Sequence, residues 1–245
     1  MTTKEHLRKA PIQEALIDIR CALSPDIAKL REVGALFTDD YPIAEELQSW
    51  HTEFTVKAGG SDAPQTSSRN FPVGLRFWSE DRKRLVQVQG VGFTFNRLHP
   101  YEDWNALRSE ARRLWDHCRT VVPPERVDQV TVRFINSMDF PVNIADVEKY
   151  LNINPRVPLA FSQGPRRCMT RLEFPQMGDG AAVALTLAME DPGPNRSRVM
   201  LDISASVTRK YSGEEEIWEV VEGLREVKNN AFFDSITDET KDLYQ

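Results

Sequence analysis

Between residues 12 and 23 apolar and polar side chains alternate: Ile17, Ile19, Cys21 and Leu23 take one phase, and Leu16, Asp18, Arg20 and Ala22 the other. A period of two buries one side of an extended chain and leaves the other open, which is the mark of a half-buried β-strand. The pattern returns later. Ile17-Asp18-Ile19-Arg20 matches Val130-Thr131-Val132-Arg133, and Trp104 and Trp218 match at nearly the same offset, each within a long amphipathic stretch. This order predicts one domain over residues 1–245 with an internal duplication into halves 1–123 and 124–245. Each half runs strand, helix, strands, long helix.

Ser24 and Pro25 supply an N-cap and a first-turn proline for a helix to about Phe37, with Ile27, Leu30, Val33 and Phe37 on one side. Trp50, Phe54 and Val56 alternate with His51, Glu53 and Thr55 as a strand. Residues 57–70, rich in Gly and Ser, lack apolar periodicity and read as a loop at a hairpin tip. Strands are expected over 73–78 and 84–95, followed by a helix over 103–120. Its Trp104, Leu107, Ala111, Leu114, Trp115 and Cys118 form a continuous stripe. In the second half residues 127–140 form a strand, and Asn143 caps a short helix. Strands follow over 166–174, 181–190 and 198–208, then a helix from about Glu214. The fold class is α+β: a mainly antiparallel sheet or partly closed barrel, with the two long amphipathic helices packed on it. Two such halves leave a cleft between them, the usual place for a ligand.

The chain carries 31 Lys+Arg against 37 Asp+Glu, a formal charge of −6. That acidic balance argues against coating nucleic acid or an anionic membrane. The longest apolar run, residues 181–189, suits a buried strand and is too short for a membrane span. The polar start and three scattered cysteines, Cys21, Cys118 and Cys168, predict a cytoplasmic protein with free thiols.

No phosphate loop, dinucleotide fingerprint, Cys-x-x-Cys or His-Glu-x-x-His occurs, and Gly90-Val91-Gly92 lacks a third glycine. Neither a metal nor a cofactor is expected. Cys118 beside His117 is a weak nucleophile–base candidate, since adjacent helical residues point about 100° apart. Arg108, Arg112, Arg113, Arg119 and Arg126 form a basic patch, but acidic residues are interleaved with it. The most suggestive feature is the strand face bearing Glu14, Asp18 and Arg20, with Arg133 on the matching strand. Guanidinium groups there suit a phosphate or carboxylate ligand. The same pattern also describes the solvent side of an ordinary antiparallel sheet.

Three stretches carry a family resemblance: Ala10-Pro11-Ile12-Gln13-Glu14-Ala15, Val132-Arg133-Phe134-Ile135-Asn136, and the closing segment from Asn229 to Asp238. The chain resembles a sporadically distributed family of uncharacterised bacterial proteins of similar length. That family has a Pro-Ile-x-Glu-Ala opening, a central Arg-Tyr-Ile-Asn and a closing Phe-x-x-x-Ile-Thr-Asp. Phe134 departs from the family's Tyr, which puts in doubt any role for a hydroxyl there. The resemblance marks Glu14, Arg133, Asn136, Thr237 and Asp238 as motif positions. It implies an accessory role in a toxin–antitoxin or phage-defence module.

The expected function is a non-catalytic binding protein that holds a protein partner or a small anionic ligand between its halves. Its binding residues are expected to be Glu14, Asp18, Arg20, Arg133 and Asn136. A homodimer is compatible with this reading. The alternative is an enzyme acting on a phosphate-containing or nucleotide substrate through Glu14, Asp18, Arg20 and Arg133.

Overall fold

A computed structural model describes residues 7–23, 27–55, 65–153, 165–177, 180–193 and 195–245. The alternating stretch forms β1 (Ile12–Cys21). There follow α1 (Ile27–Ala35), β2 (Ile43–Thr55), β3 (Gln65–Trp78), β4 (Arg84–Gln89), β5 (Gly92–Leu98) and α2 (Trp104–Val121). The second half contains β6 (Val127–Phe140), a 3-10 turn (Ile144–Lys149), β7 (Arg167–Met177), β8 (Ala181–Gly193), β9 (Arg196–Thr208), α3 (Glu214–Ser235) and α4 (Asp238–Leu243).

Among the described residues nine strands join one antiparallel sheet in the order β2-β3-β4-β5-β1-β6-β9-β8-β7. β1 and β6 lie side by side at its middle, with Ile17 opposite Val132 and Ile19 opposite Val130. The sheet does not close. β2 and β7 are its two edges, so the architecture is the open sheet rather than the barrel.

The buried phase of each strand faces the helices. Ile17 and Ile19 of β1, Val130, Val132 and Phe134 of β6, and Leu201 and Ile203 of β9 are all buried. Against them α2 sets its stripe from Trp104 to Cys118, and α3 sets Ile217, Trp218, Val221 and Leu224. α2 packs on β1 and β5, and α3 on β6, β8 and β9. Each large apolar side chain buried this way stabilises the fold by roughly 1.5–3 kcal/mol. Asp103 caps α2 by accepting a hydrogen bond from the Ala106 amide.

Three expectations need correction or restriction. Residues 65–70, expected in a loop, belong to β3 and run opposite β2, from Gln65–Thr55 to Asn70–Trp50. A polar ribbon is held by its backbone ladder and so leaves no apolar period to read. Residues 56–64, and the Ser24–Pro25 cap, lie outside the described residues. The single strand expected over 84–95 breaks at Gly90 and Val91 into β4 and β5. Gly92 has φ +151°, and a Cβ there would lie 2.4 Å from the Ile19 carbonyl oxygen. A close approach of β5 to β1 therefore requires glycine. The closing motif is tied to the 3-10 turn: the Thr237 hydroxyl donates to the Lys149 carbonyl at 2.8 Å, and just beyond the motif the Thr240 hydroxyl donates to the Tyr150 carbonyl at 2.6 Å. No helix among the described residues is long and apolar enough to cross a membrane.

Candidate functional site

Strand alternation leaves the second face of the sheet to polar groups, and among the described residues no helix packs on its middle. There a cavity of about 680 Å³ spans seven strands, from Gln87 on β4 to Pro175 on β7. β1 contributes Glu14, Leu16, Asp18 and Arg20, and β6 contributes Gln129, Thr131, Arg133 and Ile135. Ser204 and Ser206 of β9, with Ala182 and Ala184 of β8, keep the floor shallow-walled and open. Arg171 and Glu173 of β7 stand at the far end.

Four of the five residues expected at the site, Glu14, Asp18, Arg20 and Arg133, line this trough. Arg20 is opposite Gln129 and Arg133 opposite Leu16. The two arginines therefore sit four residues apart along the central ladder, about 13 Å at 3.3 Å per residue. Asn136 does not join them. It is 2% exposed on the helix side of the sheet, where its Nδ2 donates to the Leu201 carbonyl at 3.1 Å. Three residues separate it from Arg133, an odd step, and odd steps along a strand change face. Asn136 is a core hydrogen-bonding residue.

The trough groups are tied together by hydrogen bonds. The Thr94 hydroxyl donates to Asp18 at 2.7 Å, and Arg20 reaches the same carboxylate at 4.0 Å. Burial pushes the Asp18 carboxyl above its usual range, while the Thr94 hydrogen bond and the Arg20 charge pull it back. Asn96 donates to Glu14 at 2.5 Å, Gln87 to Asn96 at 3.3 Å, and Arg76 to Gln87 at 3.1 Å. Arg133 forms a two-pronged bond to Asp202, Nε at 2.8 Å and Nη2 at 2.6 Å. Arg171 donates to Glu173 at 2.7 Å and to the Thr186 hydroxyl at 3.0 Å. Asp202 is the partner of Arg133 that the sequence did not point to. It shares its strand phase with Ser204 and Ser206, and only the β6–β9 register brings it to Arg133.

This arrangement offers guanidinium donors and carboxylate acceptors along one open face. Glu14 and Asp18 act as acceptors for neighbouring side chains, and no group of three or more His, Cys, Asp and Glu able to hold a metal occurs among the described residues. Cys118 is buried in the core, which pushes its thiol up to about 12, so it is no thiolate nucleophile. The basic patch is spent on ion pairs. Arg108 lies 2.7 Å from Glu222 and Arg113 2.8 Å from Asp40, while Arg112, Arg119 and Arg126 pair with Glu215, Glu214 and Asp128. No protein-family model matches the chain, and no curated protein matches it.

Proposed function

We propose that this chain is a non-catalytic binding protein that holds a partner protein or a small anionic ligand in the trough between two pseudo-symmetric halves. The observation that carries the reading is that Arg20 and Arg133, from the two central strands, line one open polar cavity. The strand order supports the duplication: outward from the centre β1 is followed by β5, β4 and β3, and β6 by β9, β8 and β7. In that reading Arg20 and Arg133, matched in the aligned segments, are counterparts. The guanidinium of Arg133, held by Asp202 through Nε and Nη2, keeps its remaining edge for a carboxylate or phosphate oxygen. Three arginines and three carboxylates line the trough. Such a balance favours the mixed polar surface of a polypeptide over a polyphosphate. An accessory role in a toxin–antitoxin or phage-defence module belongs to the same reading and rests on the family resemblance alone.

Native mass spectrometry of the chain purified gently from its own host tests it. The wild type is expected to carry a bound protein or anion, and Arg20→Ala/Arg133→Ala to lose it while remaining folded by circular dichroism. Equal occupancy in the folded double variant overturns the reading.

A further inference from the structure

Among the described residues eight large apolar side chains remain exposed, and three of them lie on β7: Met169 at 74%, Leu172 at 37% and Phe174 at 39%. β7 is an 11-residue edge strand whose one described strand neighbour is β8. Its outward backbone groups face no other described strand. Protein edges are commonly blunted by charge or by a covering element. The opposite edge, β2, follows that rule, with Glu45 bonded to Trp78 and Arg82, and Glu46 to Arg31. β7 carries instead a charge pattern that complements itself. Arg171 and Glu173 stand two residues apart on the trough side, either side of Leu172, which faces the other way beside Leu185.

We infer that β7 pairs edge to edge with β7 of a second copy of this chain, antiparallel, about a two-fold axis through Leu172. In that register Arg171 faces the partner's Glu173, and Glu173 faces the partner's Arg171. Leu172 meets its own counterpart, and Thr170 meets the partner's Phe174. Opposed residues in an antiparallel pair share a face, so both troughs lie on one side of a continuous sheet and all helices on the other. A slip of two residues in either direction sets Arg171 against the partner's Arg171, or Glu173 against the partner's Glu173. Like charges directly opposed are unfavourable, so charge specifies the register. Pro175 lacks an N–H and ends the ladder. Because the contact uses the same patch on both copies, assembly stops at two.

The test is native mass spectrometry or sedimentation of the full chain over a dilution series. The wild type is expected to be a dimer that dissociates on dilution, since a short ladder belongs to the small, weak class of interface. Arg171→Glu and Glu173→Arg each turn both symmetry-related attractions into repulsions and weaken the dimer by about tenfold or more. Mixed in equal amounts, the two variants are expected to form a heterodimer, because every opposed pair is then of opposite sign. The double variant Arg171→Glu/Glu173→Arg pairs with itself. Both side chains are more than half exposed, so the folds stay intact and circular dichroism checks this. A wild type that is monomeric throughout, a dimer indifferent to Arg171→Glu, or a mixture that fails to associate overturns the inference. Loss of the trough ligand in Arg20→Ala/Arg133→Ala with the dimer retained separates this interface from the trough.

Discussion

Arg133 on β6 grips Asp202 on β9 through two hydrogen bonds, and the pair forms the one two-pronged guanidinium–carboxylate contact on the trough side among the described residues. Asp202 is mostly buried and Arg133 about half exposed. Asp202→Ala frees the guanidinium to swing into water. Its expected cost is about 1–2 kcal/mol of stability, because the freed charge is rehydrated rather than stranded. Urea denaturation measures that cost. Ligand occupancy in the trough should fall in Asp202→Ala as well, since Arg133 loses its fixed direction.

Lys228 occupies the buried stripe of α3, 7% exposed, with its Nζ 3.7 Å from the centre of the Phe134 ring. Burial, and secondarily the charge of Arg225, push its amine down to about 7. Between about 7 and the ordinary 10.5 the unfolded chain binds a proton that the folded chain does not. This group therefore makes stability rise with pH across that window, and its penalty is fully present below it. Lys228→Met is expected to raise stability by about 1–2 kcal/mol near pH 6, with the gain shrinking towards about pH 10. The difference between wild-type and variant denaturation midpoints across pH isolates Lys228 from other alkaline titrations.

Glu214 opens α3 against Asp116 of α2, with Arg119 as its ion-pair partner. Burial first, then the hydrogen bond and charge of Asp116, push the Glu214 carboxyl up to about 7. A raised carboxyl stabilises the fold below its unfolded value of 4.5, and that contribution is lost as pH rises through about 7. Glu214→Gln should flatten the decline in stability between about pH 4.5 and 7. An unchanged slope in urea midpoints would place the shared proton elsewhere.

Cys21 and Cys118 are buried, and burial pushes both thiols up to about 12; the neighbouring Cys118 adds to the effect at Cys21. Cys168 is partly exposed on β7. A thiol reagent such as a soluble aromatic disulfide is expected to titrate one cysteine in the native protein and three after unfolding. Cys168→Ser should reduce the native count to none.

Strand β1, helix α2 and most of the second-half strands could be read directly because each buries one side against a core. Burial imprints a period of two or of about 3.6 on the residues themselves. The stretch over 65–70 left no such imprint because it is held by a backbone ladder. Asn136 shows a different failure: it entered the expected site through a family motif, and a motif carries no face. The alternation from Arg133 already sends Asn136 to the core.

By itself the sequence determined the local faces: that Glu14, Asp18 and Arg20 point one way from β1, and Ile17 and Ile19 the other. That follows from backbone geometry acting over two residues. The tertiary structure alone decided that β1 lies beside β6, that Asp202 meets Arg133, that the sheet stays open, and that β7 is left at an edge. Strand order and register join residues far apart in the chain. They are set by the total burial of many side chains against α2 and α3, a sum to which no short segment holds the answer.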